Sequence, residues 1–229
     1  MSVKEICKTL LKLSLTKTLC FNMTYFPLRT ALRLPVFIYK RTDLYSMNGK
    51  IIFRCPVKTG LVRIGVPECY TLDMKNDRTK WKVDGTVVLN GNAIIGRGSC
   101  IRIFKEATLT IGNNFTISGG TSIISKKEIT FGNDCLLSWN ILMMDNDYHR
   151  MLDDDGAVAN EPKPINIGHH VWIGSGCTIL KGVSIGSNNV VAANSTITRD
   201  AVEENCVISG HGKNAEILKR GVRWSHELL

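Results

Sequence analysis

Residues 167–186 read IGHHVWIGSGCTILKGVSIG, and this stretch decides the fold because similar residues return at every sixth position. Glycine follows three of the aliphatic residues, as Gly168, Gly174 and Gly186. The aliphatic series, continued past the quoted stretch, is Ile167, Ile173, Ile179, Ile185, Val191 and Ile197. A period of six fits neither a helix nor a single strand, so it indicates short strands joined by tight turns.

The repeat predicts an all-β solenoid in which three hexapeptides close a triangular coil. We expect the aliphatic residue of each hexapeptide to point inwards and to stack on its equivalent one coil later. Ile167 would then lie against Ile185, and Ile179 against Ile197. Glycine and asparagine fall where the corners require a positive φ. Because the coils stack on one another, the core should be a continuous apolar column.

Three segments differ in their residue patterns. Residues 1–60 form a basic, partly helical extension, in which Val3, Ile6 and Leu10 recur at helical spacing. A second short helix is expected between Pro27, near its start, and Pro35, which limits its length. Residues 61–210 form the solenoid, and residues 211–229 form a C-terminal arm. From about residue 214 the sequence indicates either a short helix or an extended arm.

The net charge of +9 is carried by the N-terminal extension. Residues 1–60 hold eleven Lys and Arg against two acidic residues, so the rest of the chain is neutral overall. The basic residues alternate with Leu, Phe and Tyr, a composition suited to an anionic membrane surface. Two interpretations stay open: peripheral membrane contact through residues 1–40, or an arm packed against the folded protein.

The eight cysteines are widely spaced and include no CxxC pair, so neither a zinc knuckle nor a redox motif is expected. We interpret them as reduced, small apolar residues, which fits a cytoplasmic protein. No uncharged apolar run is long enough to span a bilayer.

Residues 167–186, together with VAANSTITRD at 191–200, resemble the hexapeptide-repeat acyltransferases, and among them most of all the sugar O-acetyltransferases. The resemblance implies a left-handed parallel β-helix that assembles as a homotrimer. It also implies acetyl-CoA as the donor, bound in the cleft between neighbouring prisms. The implied reaction is acetyl transfer to a sugar hydroxyl, in the synthesis of a surface polysaccharide. No nucleic-acid partner is expected.

The resemblance also assigns the residues that would bind acetyl-CoA. Trp172 and Ser175 match positions beside the pantetheine arm, and the backbone of Ala192 and Ala193 lies one coil further on. Thr198 and Arg199 match a Thr-Lys pair near the nucleotide phosphates, and arginine keeps the positive charge. Two departures from the family pattern are Ala-Ala-Asn at 192–194, where Gly-Ala-Gly is common, and a missing proline motif after the last coil.

Residues 144–150 read MDNDYHR and begin a polar loop, 145–164, that interrupts the tight coil. A long loop within a compact repeat is usually functional. The resemblance assigns the role of general base to His149. The reaction needs a base because a sugar hydroxyl attacks a thioester poorly unless its proton is removed. Asp145 or Asp147 would orient the imidazole, and the sequence does not choose between them.

Two other functions fit the fold. One is N-acetylation of a nucleotide-linked amino sugar, and the other is a zinc enzyme similar to the β-helical carbonic anhydrases. The adjacent His169 and His170 are a poor match to three widely spaced zinc ligands. We interpret them as solvated turn residues, and the acidic run 153–155 as a solvated loop tip. No metal site is therefore predicted.

Overall fold

The computed structural model describes residues 12–67, 73, 75–211 and 214–227. Within these residues the chain forms two short helices followed by twenty-two strands. The helices are α1 (Leu15–Tyr25) and α2 (Leu28–Ala31). The helix expected around residues 3–10 lies outside the described residues. No helix in the described ranges has the length and apolar character needed to cross a membrane.

The strands build three sheets, one for each side of a prism. The nine-strand sheet contains, in spatial order, β1 (Val36–Ile38), β4 (Val62–Val66), β7 (Ala93–Gly96), β10 (Phe115–Gly119), β13 (Leu136–Trp139), β16 (Trp172–Ile173), β19 (Val190–Val191), β21 (Cys206–His211) and β22 (Asn214–Arg220). The seven-strand sheet contains β2 (Thr42–Ser46), β5 (Thr79–Val83), β8 (Cys100–Ile103), β11 (Ser122–Ser125), β14 (Leu142–Met144), β17 (Thr178–Leu180) and β20 (Thr196–Ile197). The six-strand sheet contains β3 (Lys50–Phe53), β6 (Thr86–Leu89), β9 (Thr108–Ile111), β12 (Glu128–Phe131), β15 (Ile165–Ile167) and β18 (Ser184–Ile185).

Consecutive coils pair in parallel, in the register that the period of six predicts. Ile167 pairs with Ile185, and Ile179 pairs with Ile197. The aliphatic residues of this series are buried and belong to one continuous core. The predicted stacking is thus confirmed, and the core is an apolar column along the prism axis.

One corner of the prism, between the six-strand and nine-strand sheets, is a column of residues with positive φ. Its members, on successive coils, are Asn114, Asp134, His170, Asn188 and Asn205. Asparagine and aspartate tolerate this conformation because their short side chains bond locally. Histidine is enriched there as well. We call this line of residues the polar corner.

The first coil of the β-helix is made by β1, β2 and β3, which pair in parallel with β4, β5 and β6. The β-helix therefore begins at residue 36 rather than at residue 61, where we expected it. Helix α1 packs on this end of the β-helix, where Phe21 is fully buried against Trp81 of β5 in the second coil. The Asn22 amide donates to the carbonyl of Val36 and accepts from its N–H. The expected helix after Pro27 is present as α2.

The C-terminal arm begins with a strand, so the helical alternative from residue 214 onwards is wrong. Strand β22 pairs antiparallel with β21 and ends the nine-strand sheet. Residues 221–227, which we call the C-terminal tail, then turn back along the polar corner. The Val222 N–H donates to the carbonyl of Asn205.

The cysteines within the described residues are free thiols. Cys135 and Cys177 are buried in the small inward positions of the coil. Burial raises the pKa of the Cys135 thiol to about 11. Since the thiolate is the reactive form, this cysteine serves as packing.

Candidate active site

The loop between β14 and β15 spans residues 145–164, the limits expected from the sequence. It leaves the prism at the corner between the seven-strand and six-strand sheets. Its middle part, residues 151–157, is exposed, and an isolated antiparallel bridge joins Leu152 to Val158. Two internal anchors, at Asp145 and Asn160, fix the rest of the loop.

Asp145 is fully buried, and its carboxylate holds the turn of the preceding coil. The Ser125 hydroxyl donates to it at 2.7 Å. Three consecutive backbone N–H groups, of Lys126, Lys127 and Glu128, donate at 2.7, 2.8 and 2.8 Å. These donors occupy the carboxylate, so Asp145 anchors the start of the loop.

Asn160 is the second anchor and was missed by sequence reasoning. Its side-chain amide donates to the carbonyl of His149 and to the carboxylate of Asp147, both at 2.9 Å. Its side-chain carbonyl accepts from the Met151 N–H at 2.8 Å. Asn160 therefore ties the two ends of the loop together around His149.

Asp147 forms an ion pair with Lys181, a residue of the next coil. The hydrogen bond from Lys181 lowers the pKa of Asp147 below its ordinary value. Lys181 also donates to the carbonyl of Asn160 at 3.0 Å. The ion pair thus fastens the loop to the regular coils.

His149 is exposed at the mouth of a pocket of about 230 Å³. Among the residues that the structure describes, no group hydrogen-bonds to its imidazole. The pocket walls include Lys126, Tyr148, Arg150 and Glu161. The histidine side chain is therefore free to meet a ligand that enters this pocket.

Lys126 supports the segment that carries His149. Its ammonium group donates to the carbonyl of Tyr148 at 3.1 Å and lies 5.1 Å from the centre of the tyrosine ring. The same group lies 5.2 Å from the centre of the Phe104 ring. These contacts hold Tyr148, whose φ is positive at 63°, directly beside His149.

The predicted cofactor residues lie on two consecutive coils, which begin with β16 and β19. Trp172 faces outwards from the nine-strand sheet, 37% exposed, and its indole N–H donates to the Ser138 hydroxyl at 3.0 Å. Ser175, Ala192 and Ala193 share the corner that follows this sheet. The pairing of β16 with β19 places these small residues side by side.

The backbones of neighbouring coils approach closely at this corner. A Cβ added to Gly174 would lie 2.7 Å from the backbone nitrogen of Ala193, so a larger residue cannot be accommodated there. The Asn194 N–H donates to the Ser175 carbonyl at 2.8 Å. The corner therefore combines small residues with closely spaced backbone, which suits the binding of a thin ligand.

Thr198 and Arg199 follow β20 at the far side of the seven-strand sheet. Arg199 is exposed, and no ion pair to it exists among the described residues. The preceding coil presents Lys181 at the same corner, next to the loop. The six predicted cofactor residues thus divide between two corners, and they do not line a single cleft of one chain.

Comparisons with known proteins agree with this architecture. The family model described as "Bacterial transferase hexapeptide (six repeats)" matches residues 164–199. The chain is 28% identical over 153 residues to the putative lipopolysaccharide biosynthesis O-acetyl transferase WbbJ of Escherichia coli strain K12, covering 63% of this chain and 75% of that protein.

A second relative and a solved structure lead to the same family. The galactoside O-acetyltransferase of the same strain is 33% identical over 106 residues, covering 45% of this chain and 51% of that protein. The crystal structure of the polySia-specific acetyltransferase NeuO superposes with a TM-score of 0.53 and 26% identity, covering 84% of this chain and 79% of that one. Residues 164–199 thus carry the hexapeptide repeat of bacterial transferases, and the chain is similar to sugar O-acetyltransferases that share it. Its fold is accordingly their left-handed parallel β-helix.

This acyltransferase spans three quarters of one curated relative, but only about half of the galactoside enzyme. The family model matches where the six-residue period is strict, at residues 164–199. That segment includes all six predicted cofactor residues. It begins at the last residue of the loop that carries His149.

The structure corrects one expected role in the acyltransferase. Asp145 cannot orient His149, because its carboxylate is buried and already accepts five hydrogen bonds, the fifth from the Asn146 side chain. Asp147 contacts Lys181 and Asn160 rather than the imidazole. The partners of both carboxylates come from other coils, so the local sequence could not reveal them.

The structure also corrects the interpretation of His170 as a solvated turn residue. Its Nδ1 lies 2.5 Å from a carboxylate oxygen of Asp134, and the Trp224 indole stacks on its ring at 4.2 Å. By contrast, His169 accepts a hydrogen bond from the Asn133 N–H at an exposed turn. The grouping around His170 joins residues far apart in sequence and had no local signal.

Proposed function

We propose that this acyltransferase moves an acetyl group from acetyl-CoA to a hydroxyl of a sugar, in the synthesis of a surface polysaccharide. The observation that carries the proposal is His149, with its unpartnered imidazole, in a pocketed loop beside the hexapeptide coils. The names of the relatives support a sugar acceptor. The exposed Arg199 at the corner next to Lys181 supports a phosphate-bearing donor.

The reaction needs a base and needs no covalent enzyme intermediate. The neutral imidazole of His149 takes the proton of the acceptor hydroxyl as the oxygen attacks the thioester carbonyl. A backbone N–H of a neighbouring coil stabilises the tetrahedral oxyanion. Collapse of this intermediate breaks the carbon–sulfur bond, and the departing thiolate takes up the proton held by His149. The products are the acetyl ester and CoA.

Asp147 acts in this proposal as a positioning residue. Its ion pair with Lys181 and its hydrogen bond from Asn160 fix the backbone on both sides of His149. The loop thereby keeps its place relative to the coils that bind the donor. A base held in this way loses less entropy when the acceptor binds.

Acetyl-CoA would bind in a cleft between two copies of the chain, in a homotrimer. The support is the division of the predicted cofactor residues between two corners, so a neighbouring prism has to provide the opposite wall. Trp172, Ser175, Ala192 and Ala193 would contact the pantetheine arm, and Thr198 and Arg199 the phosphates. Light scattering combined with an activity assay tests this, since a fully active monomer would contradict it.

The chemical nature of the acceptor can be tested by the bond that forms. Acetyl-CoA is incubated with neutral sugars, acidic sugars and amino sugars, and free CoA thiol is measured. We expect thiol release with a hydroxyl acceptor and a product from which mild alkali removes the acetyl group. An alkali-stable product formed on an amino sugar would instead favour the N-acetyltransferase alternative.

The N-terminal helices offer a surface for peripheral membrane contact. The described part of the extension packs on the first coil, yet its outer face exposes a line of apolar residues: Leu15, Leu19, Met23, Leu28 and Leu32. Arg29 and Arg33 accompany them. We propose that this face rests on an anionic bilayer, on the side where reduced cysteines persist, the cytoplasm. Vesicle sedimentation should show weaker binding for Leu19→Gln/Met23→Gln than for the native chain.

A further inference from the structure

The C-terminal tail runs back along the polar corner over four coils, from the coil of Asn205 to that of Asp134. Its Val222 N–H donates to the Asn205 carbonyl at 2.9 Å. Two coils earlier, the Trp224 indole N–H donates to the His170 carbonyl at 2.8 Å. Near its end, His226 reaches Asp134. The tail therefore lies against the side of the β-helix through a few polar contacts.

Three side chains with metal-binding atoms meet at the end of the tail. Asp134 Oδ2 lies 2.5 Å from His170 Nδ1, and Asp134 Oδ1 lies 3.0 Å from His226 Nε2. The three candidate ligand atoms all lie within 4.8 Å of one another. The side chains are 28–38% exposed, so solvent ions can reach them. None of the three takes part in the proposed acyl transfer.

The hydrogen bond made by the second ring nitrogen of His170 shows why the contact between His170 and Asp134 requires a cation. Its Nε2 lies 3.1 Å from the backbone carbonyl of Trp224, which can only accept, so Nε2 carries a hydrogen. A neutral imidazole then has its lone pair on Nδ1. That lone pair faces a carboxylate oxygen of Asp134, and two lone pairs repel each other. A positive charge is needed beside these atoms. It is supplied either by a second proton shared between them or by a metal ion bound to both, and metal binding requires the two atoms to move apart to tetrahedral spacing.

We propose that Asp134, His170 and His226 form a binding site for a divalent transition-metal ion, such as Zn²⁺, which fastens the C-terminal tail to the β-helix. Two imidazoles and one carboxylate suit zinc, copper or nickel better than magnesium or calcium. Three protein ligands leave a fourth position for water. This site goes beyond the acyl transfer proposed above and does not depend on it.

The surroundings of the three residues match those of known metal ligands. A coordinating histidine usually donates its other N–H to a carbonyl, as His170 does to Trp224. A coordinating carboxylate is usually hydrogen-bonded as well, and the Asn114 amide donates to Asp134. Asp134 and His170 are also fixed by their backbones, because both occupy positive-φ positions of the polar corner. Only His226 has to be brought in by the tail.

The metal would act on the position of Trp224. This indole stacks on the His170 ring with an interplanar angle of 8°, and its ring centre lies 6.0 Å from that of Trp172. The metal site would thus hold Trp224 beside Trp172, which is predicted to contact the donor. Loss of the metal should release the tail and leave the prism intact, since the core lies elsewhere.

The test titrates Zn²⁺ into the full-length protein after dialysis against a chelator. Calorimetry should show one Zn²⁺ per chain, and Co²⁺ should give visible absorption bands typical of nitrogen and oxygen ligands. His226→Gln and Asp134→Asn should each weaken Zn²⁺ binding by at least roughly ten- to a hundredfold, the usual cost of disturbing a metal site. Asparagine tolerates positive φ, so Asp134→Asn keeps the corner.

His211→Gln is the matched control, because His211 is an exposed histidine at the end of β21, outside the cluster. It should bind Zn²⁺ like the native chain, and Mg²⁺ should not compete. The proposal is overturned if the native chain binds no Zn²⁺, in which case His170 is held by a proton alone. It is equally overturned if His226→Gln and His211→Gln bind alike.

Discussion

The regular coils at residues 165–200 and the loop at residues 145–164 are neighbours in sequence, but they are stabilised in opposite ways. In the coils, each inward residue stacks on its equivalent, and Ile173, Ile179 and Ile197 are fully buried. In the loop, large apolar residues such as Met151 and Leu152 are more than half exposed. The loop is held instead by polar anchors, chiefly Asp145 and Asn160.

This contrast assigns folding stability to the coils and the proposed chemistry to the loop. Burial of the aliphatic column contributes most of the folding free energy, and it depends little on the loop. The loop contributes few apolar contacts, so most of its residues can change without unfolding the prism. Substitutions in the loop should therefore change rates, and substitutions at its anchors should change both rate and stability.

The largest expected effect is on catalysis and comes from the loop alone. His149→Ala should lower kcat by roughly two to four orders of magnitude, the usual contribution of a positioned base. The melting temperature and the affinity for acetyl-CoA should not change, because the side chain is exposed and makes no contact with the core. Steady-state kinetics and a thermal shift assay measure the two effects.

His169→Ala is the control, since this histidine lies on an exposed turn of the coils. It should retain native activity. If folded His149→Ala protein turned over acceptor within a few-fold of the native rate, His149 would not be the base. The assignment of the chemistry to the loop rather than to the coils would then be wrong.

The second-largest effect should be on both turnover and stability, because Asp145 joins the loop to the coils. Asp145→Asn replaces a buried carboxylate by an amide that cannot accept from all of its donors. Leaving buried N–H groups without acceptors should lower the free energy of unfolding by about 1–3 kcal/mol. Turnover should fall as well, because the loop begins at this residue.

Chemical denaturation compares Asp145→Asn with Asp154→Asn, the same substitution at the exposed tip of the loop. Asp154→Asn should be as stable and as active as the native chain. Equal stability of the two variants would mean that the buried hydrogen bonds of Asp145 do not anchor the loop.

The smallest effect should be on the binding of acetyl-CoA by the coils, with no change in stability. Arg199→Glu places a negative charge where the donor phosphates are proposed to bind, and should weaken acetyl-CoA binding about tenfold, or about 1.4 kcal/mol. The fold should be unaffected because Arg199 is exposed. Lys105→Glu, an equal charge change at another exposed corner, is the control in a binding titration. Unchanged affinity in Arg199→Glu would place the phosphates elsewhere.

The sequence predicted the coils well where the six-residue period is strict, as at Ile167 and Ile185. It failed for the first coil because that coil is irregular: its pairing with the second coil shifts register between Leu44 and Ser46. Helix α1 was missed for a related reason. Its buried residues include Thr18 and Asn22, so the apolar pattern of an amphipathic helix is absent.

The site was predictable only in part. The limits of the loop followed from the break in the period, and the role of His149 stays a prediction. The partners of Asp145 and Asp147 could not be predicted, because they are backbone groups and a lysine of adjacent coils. His226 and Asp134 are 92 residues apart, and the return of the tail along the prism brings them together. No periodicity of the chain encodes that path.

The antiparallel strand β22 has a consequence for the behaviour of the protein at high concentration. A β-helix ends in open strand edges on which a second molecule could continue the same parallel stack. In the nine-strand sheet, β22 reverses the strand direction at the C-terminal edge, and helix α1 packs on the first coil at the opposite end. Parallel end-to-end growth is thereby interrupted. The chain thus carries its own barrier against fibre formation, built from segments outside the repeat.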